Sequence, residues 1–356
     1  MQEYIVNPEK LYAFTESIFK HAGCNDHEAA AVAGLLVGAD LRGVRSHGVL
    51  RIEPYINKLS QGGIKENAPM EVVLENPVIA VLDAHGAFGA CASARAVEIA
   101  REKAKNFGIG FVAVKNSNHF GTAGHWALEL AKEDMIGYCG SNTFPFMLGP
   151  GMSEAGLGNN PFAMAYSGEK YKEICIDMAC SVVAGGKWMD LHSRGLPIPY
   201  GWFVDKDGKP SNDVDAFTYV LPFGGHKGFG VAFIVETLAT LLSSGPLPFE
   251  MNNQFDPTTS ENASQFFMAI NVESFRPLNE FKNDVDRYID YHKSRRKAEG
   301  VDEIKYFGEI EYSNKQRISK EGIVIPESLT TKFAELADRF GMPAGSAAFL
   351  TETPKN

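Results

Sequence analysis

Cysteines are few in this sequence, and no apolar run is long. It contains five cysteines among 356 residues, and none belongs to a Cys-x-x-Cys pair. Reduced packing cysteines in a cytoplasmic protein are therefore expected rather than a disulfide framework. The longest apolar stretch, residues 230–242, is interrupted by Glu236 and falls short of the ~20 residues that a membrane-spanning helix needs. The first ten residues, MQEYIVNPEK, do not resemble a secretory signal.

Positive charge is also scarce. The chain has 34 lysines and arginines against 44 aspartates and glutamates, which gives a net charge of -10. Nucleic acids and anionic membranes attract basic surfaces, so neither is an expected partner. The one dense basic run, HKSRRK at residues 292–297, lies among acidic neighbours and is predicted to be a solvated helix face.

The common nucleotide and metal motifs are missing. There is no GxGxxG and no GxxxxGK[ST], so a bound dinucleotide would not be held by the usual Rossmann loop. No HExxH motif or Cys/His set with zinc spacing occurs, and no metal is expected. A GxSxG nucleophile elbow is absent as well, which disfavours a serine hydrolase of that type.

Helical patterns occupy both ends of the chain. Asn7 and Pro8 predict the start of a helix that ends at Gly23, and a second helix is predicted from Asp26. Further helices are predicted at residues 92–108, 123–135, 228–245, 278–298 and 328–341, and the mostly apolar 228–245 helix is expected to be buried.

Short segments rich in β-branched residues fill the middle of the chain. They predict strands at residues 78–85, 108–116, 136–142, 173–180 and 265–275, whereas 199–215 is predicted to be a polar loop. The fold class is therefore α/β, and the length suits about two domains. We expect a helical domain from residues 1–77 and 277–356 and an α/β domain over 78–276.

Arginine, serine and histidine are concentrated in RGVRSHGVLRIEPY. His47, Arg51 and Tyr55 have the spacing of one helix face, but Pro54 requires a kink or a new helix starting near Glu53. An imidazole and a guanidinium that point into one space can bind and deprotonate a hydroxy acid. A solvated basic turn is the alternative.

Polar residues follow three of the predicted strands. The segment NSNHFGTAGHW carries His119, which is either catalytic or a hydrogen-bonded structural residue. The segment CGSNTFP ends in Thr143, whose hydroxyl can donate to a phosphate oxygen unless this is an ordinary turn. Asp177 follows an apolar strand and can accept from ribose hydroxyls, or it can cap a helix.

Glycine surrounds a histidine and a lysine in LPFGGHKGFG, just before an apolar helix. Glycine permits close backbone approach, a helix start favours anions, and Lys227 adds a positive charge. These properties favour a phosphate or pyrophosphate site over a plain loop.

Together these segments resemble the malate/L-lactate dehydrogenase family. The matching motifs, in the family's order, are RGVRSHGVLR, NSNHFGTAGHW, GLGNNPFA, IDMACSVVAGGK and LPFGGHKGFG. The resemblance covers nearly the whole chain. It implies a non-Rossmann, NAD(P)-binding domain with a largely β-sheet core, inserted between helical N- and C-terminal segments. It also implies a homodimer with the active site between domains.

The resemblance also implies roles for individual residues. His47 and His119 match the proposed acid/base histidines, Arg51 matches the carboxylate-binding arginine, and Ser46 and Tyr55 are expected to line the substrate site. Expected cofactor contacts are Thr143, Asp177, Met178, Ala179, Lys227, Gly228, Gly308 and Glu309. Two departures stand out: Phe307 replaces the proline of the family's Pro-Gly-Glu, and Cys180 replaces a common threonine or serine.

The expected activity is hydride transfer between a nicotinamide and a small 2-hydroxy or 2-oxo acid, malate or lactate first. Histidine suits the proton transfer, and arginine binds a carboxylate with two parallel hydrogen bonds. Either NAD or NADP fits, with a slight preference for NAD. Alternatives are a cyclic imino-acid or diketo-acid reductase or a ureidoglycolate dehydrogenase. A non-enzymatic nucleotide-binding protein is disfavoured because both histidines and Arg51 are present.

Overall fold

The computed structural model describes residues 2–183, 191 and 195–355. Its helices are Pro8–His21 (α1), Asp26–Leu41 (α2), Ile52–Ser60 (α3), Gly89–Phe107 (α4), Ala123–Leu130 (α5), His226–Glu236 (α6), Leu278–Lys293 (α7), Glu309–Glu321 (α8) and Glu327–Arg339 (α9). Its longer strands are Glu3–Val6 (β1), Glu71–Glu75 (β2), Ile79–Asp83 (β3), Ile109–Ser117 (β4) and Met135–Ser141 (β5). The remaining strands are Met147–Leu148 (β6), Ala155–Leu157 (β7), Phe162–Tyr166 (β8), Ile174–Met178 (β9), Phe203–Val204 (β10), Pro210–Ser211 (β11), Tyr219–Val220 (β12), Ala263–Asn271 (β13) and Ile323–Pro326 (β14).

A seven-stranded sheet forms the centre, in the order β2-β3-β4-β13-β5-β8-β9. Only the β3–β4 pair is parallel, and the other neighbours are antiparallel. Following these directions across the sheet, β3, β4, β5 and β9 all run the same way. Their carboxyl ends therefore share one edge of the sheet, and the loops that carry the predicted site residues leave from that edge.

Helices cover both faces of this sheet. On one face, α4 packs against β3, β4 and β13, and α5 packs against β5, β8 and β9. Phe267 of β13 belongs to this larger core, whereas its neighbour Phe266 packs with Val235 and Ala239 on the opposite face. The alternation follows from the two-residue period of a strand. A strand buried on both faces is apolar on both, as β13 is over residues 266–270.

The two ends of the chain meet. Strand β1 pairs with β14 in antiparallel register, and Phe14 of α1 contacts Phe333 of α9 with ring centroids 6.1 Å apart. The same hydrophobic core contains residues of α2, α4 and β4. The division of the chain into a helical and an α/β domain stays a prediction. None of the described helices is long and apolar enough to cross a membrane.

Local signals in the sequence predicted the early elements correctly. Asn7 accepts hydrogen bonds from the backbone N–H groups of Glu9 and Lys10, and so caps α1 as expected. Helix α2 starts at Asp26, and α4 ends at Gly108, whose φ of 87° suits glycine. The five predicted strands correspond to β3, β4, β5, β9 and β13. All five cysteines are buried and unpaired.

Four expectations were wrong in detail. The 228–245 helix is not fully buried, since Phe233, Ile234, Leu241 and Leu242 are each more than half exposed. The 199–215 loop contains the β10–β11 hairpin, because Phe203 reaches a small separate core. The basic run at 292–297 is helical only to Lys293, and α5 stops at Leu130 before a turn with a φ of 62° at Glu133.

Candidate active site

The RGVRSHG segment folds back on the end of α2. Asp40 accepts a hydrogen bond of 2.7 Å from the backbone N–H of Val49. Gly48 packs against the same carboxylate, where a Cβ atom would lie only 2.0 Å from Oδ1.

Two short 3-10 turns, Arg45–His47 and Val49–Arg51, then lead into α3. Because Pro54 falls in the first turn of α3, the expectation of a new helix near Glu53 is confirmed, and one continuous helix through His47 is not formed.

These turns fix the arginine beside the first histidine. Arg51 Nε donates to the Ser46 carbonyl at 2.9 Å, and Ser46 Oγ lies 2.9 Å from His47 Nδ1. Glu53 pairs instead with Lys332 at 2.6 Å. Among the residues that the structure describes, no carboxylate pairs with Arg51. The rest of its guanidinium is therefore available to an anionic ligand, which argues against a solvated basic turn.

His119 reaches the same place from the loop after β4. Its ring stacks on that of His47, with centroids 5.5 Å apart and planes 23° apart. The Tyr55 hydroxyl lies 2.7 Å from His119 Nδ1. Both histidines are half-buried, whereas Tyr55 is buried. The structure thus brings Ser46, His47, Arg51, Tyr55 and His119 together. The roles expected for them stay predictions.

Burial sets the charge state of this cluster. It lowers the pKa of His47 to about 4, and the nearby Arg51 adds to the effect. Burial, followed by Arg51, also holds the pKa of His119 well below its usual range. Burial is also the main cause of the raised pKa of the Tyr55 phenol. At neutral pH both imidazoles are therefore uncharged, and a neutral imidazole can accept a proton.

The sequence did not predict the ion pair between Lys58 and Glu261, which lies next to the His119 loop. Lys58 Nζ lies 3.1 Å from Glu261 Oε1, and both residues are buried. The Glu261 carboxylate accepts a hydrogen bond from the backbone N–H of His119. Lys58 follows Tyr55 by one turn of α3, and this helical spacing could have indicated that Lys58 lies near the site. Glu261 lies 203 residues from Lys58 and carries no local signal.

Thr143 lies at the carboxyl end of β5, beside the loop that precedes β8. Its Oγ1 is 3.2 Å from Asn159 Oδ1, and its backbone N–H donates to Asn160 Oδ1 at 3.1 Å. Gly158 must be a glycine, because a Cβ there would lie 1.9 Å from Thr143 Oγ1. The turn and the loop therefore interlock, and the half-buried threonine is held by side-chain amides.

The buried carboxylate of Glu236 holds the side-chain amides of Asn142 and Asn160. Glu236, at the end of α6, accepts from Asn160 Nδ2 at 2.8 Å and from Asn142 Nδ2 at 3.3 Å. Asn142 also donates to Thr240 Oγ1 at 2.8 Å. The sequence shows Glu236 only as an interruption of an apolar run. The π-helical turn Thr237–Leu241 places Glu236 and Thr240 together against the sheet edge.

The segment after β9 continues this edge. The Asp177 carboxylate accepts from the backbone N–H of Gly124 in the first turn of α5. The N-cap residue of α5 is Thr122, so Asp177 is not the N-cap of this helix. Desolvation by the surrounding protein raises the pKa of Asp177 to about 6, although the residue as a whole is exposed at the sheet edge. Met178 is 38% exposed, and Ala179 is half-buried. Cys180 is fully buried, and its N–H donates to the Asn159 carbonyl at 2.7 Å.

The glycine-rich turn packs next to Cys180. Gly228 is required there, because a Cβ would lie 2.3 Å from the Phe223 carbonyl oxygen. No side chain caps α6, whose N-cap is Gly225 with a φ of 63°. The Lys227 side chain is exposed and forms no ion pair with any residue in the described ranges. An uncapped helix start beside a free lysine suits a phosphate group.

The predicted contacts at Gly308 and Glu309 lie beside β9. Phe307 accepts from the Cys175 N–H at 3.1 Å, and Gly308 has a φ of 88°. The Glu309 carboxylate is already paired with Lys293 Nζ at 2.6 Å. A cofactor role for these two residues stays a prediction.

The chain therefore carries two neutral imidazoles beside Arg51 and, at the start of α6, a lysine; neither cation has an acidic partner among the described residues. These groups suit a nicotinamide-dependent dehydrogenase of small hydroxy acids, the class to which the comparisons with known proteins assign the chain. The family described as malate/L-lactate dehydrogenase matches residues 6–334. The chain belongs to this family, as its motifs indicated.

Individual relatives agree over almost the full length. The chain is 37% identical to the L-sulfolactate dehydrogenase of Methanocaldococcus jannaschii, over 95% of this chain and 98% of that protein. It is 36% identical to the malate dehydrogenase of Pyrococcus abyssi, over 96% of both. The crystal structure of malate dehydrogenase from Entamoeba histolytica superposes with a TM-score of 0.92 at 30% identity, covering 96% of this chain and 99% of that one.

Proposed function

We propose that this enzyme interconverts a small 2-hydroxy acid, malate first, and the corresponding 2-oxo acid with a nicotinamide cofactor. The observation that carries the proposal is the stacked pair of neutral imidazoles beside Arg51, whose guanidinium has no acidic partner in the described chain. A hydroxy acid needs both parts, because its carboxylate must be held while its hydroxyl loses a proton. The malate dehydrogenases among the relatives support malate as the first substrate to test.

His119 is the proposed proton-transfer residue, and His47 orients the substrate. With a hydrogen on Nδ1, His119 donates to Tyr55 Oη and leaves Nε2 free to accept the hydroxyl proton. Arg51 holds the substrate carboxylate, and its own position is fixed by the Ser46 carbonyl. The bound nicotinamide supplies the hydride acceptor, or the hydride in the reverse direction.

The cofactor is proposed to lie along the edge formed by Thr143, Asp177–Ala179 and Lys227–Gly228. A largely antiparallel sheet without a GxGxxG loop supports a non-Rossmann binding domain between the helical ends. We favour NAD over NADP because the carboxylate of Asp177 can accept from ribose hydroxyls and would repel a 2′-phosphate. Lys227 is the proposed phosphate ligand.

A homodimer in the cytoplasm is the proposed state of the enzyme. The exposed apolar residues Phe233, Ile234, Leu241 and Leu242 support a second copy as partner, since water-exposed apolar surface of this kind marks interfaces. Light scattering should give twice the chain mass, and Ile234→Glu should shift it toward the monomer. Leu74→Glu, on the exposed edge strand β2, is the control. Five buried, unpaired cysteines support a reducing compartment.

L-Sulfolactate is the second candidate substrate, because the M. jannaschii relative is a sulfolactate dehydrogenase. A panel of malate, lactate, sulfolactate, ureidoglycolate, diketogulonate and piperideine-2-carboxylate, with NAD(H) and NADP(H), separates the candidates by nicotinamide absorbance. Turnover of a 2-hydroxy acid with either cofactor supports the proposal. Turnover of only the cyclic imino acid or diketo acid would replace it, and no turnover of any compound would reject it.

A further inference from the structure

The Lys58–Glu261 ion pair has no part in the reaction as proposed so far. Only 6% of the Lys58 side chain and 10% of the Glu261 side chain are exposed. Lys58 Nζ also donates to the Gln254 carbonyl at 3.3 Å. Removing two charges from water costs several kcal/mol per ion, and the attraction between them offsets this only in part. The Lys58–Glu261 ion pair therefore stabilises the fold only weakly, and its position beside His119 suggests a role in the active site.

Glu261 is linked directly to the His119 loop, and Lys58 is linked to it through Glu261 and through its own helix, α3. The Glu261 carboxylate accepts from the His119 backbone N–H, and the Glu261 N–H donates to Asn118 Oδ1 at 3.1 Å. Lys58 lies one turn beyond Tyr55 on α3, and Tyr55 bonds the His119 ring. Helix α3 and the segment before β13 thus hold the histidine from its ring and from its backbone.

The groups that face His119 come from three parts of the chain. Arg51 and His47 come from the 3-10 turns, Tyr55 and Lys58 from α3, and Glu261 from the segment before β13. Arg51 is needed for substrate, so its positive charge cannot be removed. Glu261 is the only anion in this group, and it forms an ion pair with Lys58 at 3.1 Å, while Arg51 acts on it more weakly.

We propose that the Lys58–Glu261 pair is a positioning device for His119, which fixes its backbone and balances the charge around its imidazole. The inference rests on the proposed role of His119 in proton transfer. Both residues act through the histidine, and each is needed for full turnover. Burial is the main cause of the lowered pKa of His119, and the positive charge of Lys58 contributes to it.

The two single variants should shift the pH profile in opposite directions. Lys58→Met leaves a carboxylate beside His119, so the acid limb of kcat/KM for alcohol oxidation should move to higher pH, by about 1 unit. Glu261→Gln keeps an acceptor for the His119 N–H but leaves Lys58 unpaired, so the limb should move to lower pH. The double variant should return toward the wild-type profile, because the two sites are directly coupled.

Lys103→Met is the matched control. It breaks the ion pair of a second buried lysine, Lys103 Nζ–Glu75 Oε1 at 2.8 Å, in which Glu75 is exposed on the edge strand β2. It should lower thermal stability and leave the pH profile in place. NADH affinity, measured in every variant, reports whether the fold is intact. If Lys58→Met does not fold, the isosteric variant Glu261→Gln is sufficient for the test. A shift of its acid limb to lower pH supports the inference, and any other result contradicts it.

The inference would be overturned if the acid limb of kcat/KM lay at the same pH in wild type and in both single variants, even if the variants were less stable. The His119→Asn variant separates this result from a failure of the proposed function. If His119→Asn loses turnover while the Lys58 and Glu261 variants keep the wild-type profile, the function stands and the positioning role is rejected. If His119→Asn retains normal turnover, both are rejected.

Discussion

Tyr55 Oη lies 2.7 Å from Nδ1 of His119 and joins α3 to the loop after β4. Because burial raises the pKa of the Tyr55 phenol and so keeps it protonated, this contact is a neutral hydrogen bond in the free enzyme. It becomes a bond to a charged donor once the imidazole has taken a proton. The contact therefore strengthens during alcohol oxidation, which is what a catalytic interaction must do.

Replacing Tyr55 with phenylalanine should lower kcat for alcohol oxidation by about 10- to 100-fold, since hydrogen bonds to charged groups are worth about 1.5–3 kcal/mol. KM should change little, because the ring still fills its place. Steady-state kinetics test this, with Tyr12→Phe on α1 as the control. An unchanged kcat would mean that the hydroxyl only packs the site.

Replacing Arg51 with lysine or methionine should lower kcat/KM by about 10- to 150-fold and leave NADH affinity nearly intact. Lysine offers a point charge, whereas the guanidinium matches a carboxylate with two parallel hydrogen bonds. Kinetics and calorimetry with NADH together test this, and Arg339→Lys on α9 is the control. Normal kcat/KM in both variants would remove Arg51 from the substrate site.

Lys227→Ala should weaken NADH binding by about 10-fold or more, because one charged contact to a phosphate is lost. The substrate KM at saturating cofactor should change less. Isothermal titration calorimetry measures the affinity, and Lys206→Ala, another exposed lysine, serves as the control. Equal NADH affinity in wild type and variant would place the phosphates elsewhere.

The acid limb of kcat/KM for alcohol oxidation should lie below pH 6.5. Both histidines have lowered pKa values, so they remain neutral and able to accept a proton at pH values where a free histidine is charged. His119→Asn should cost about 10²–10⁴ in kcat, whereas His47→Asn should mainly raise KM. His21→Asn is the control, and near-normal kcat in both active-site variants would refute the assignment.

Asp40→Asn should alter the pH dependence of folding. Burial raises the pKa of Asp40 to about 7, so its protonated form stabilises the fold at low pH and this contribution is lost as the pH rises through 7. The asparagine can still accept from Val49 but cannot ionise. Relative to wild type, the variant should therefore gain on the order of 1–3 kcal/mol of unfolding free energy between pH 5 and pH 8.

Urea denaturation at both pH values measures this gain. Asp338→Asn, at an exposed position on α9, should show no such pH dependence relative to wild type. A constant difference between Asp40→Asn and wild type would show that Asp40 is ionised in the fold at both pH values.

Signals that act within one turn or one strand predicted much of this molecule. Asn7 and Gly108 mark helix ends because their hydrogen bonds and φ angles are local properties. The strand segments were found because β-branched residues cluster in short runs. The motif residues His47, Arg51 and His119 were found because their types suit one kind of chemistry and match a family.

Packing over long sequence distances decided the rest. Tyr55 and His119 are 64 residues apart, and Lys58 and Glu261 are 203 apart, so no local pattern could pair them. The place of β13 between β4 and β5 brings their carboxyl ends to one edge. The contacts of Glu236 were also decided by long-range packing. A carboxylate in an apolar helix needs hydrogen-bond donors, and Asn142 and Asn160 reach Glu236 only in the folded protein.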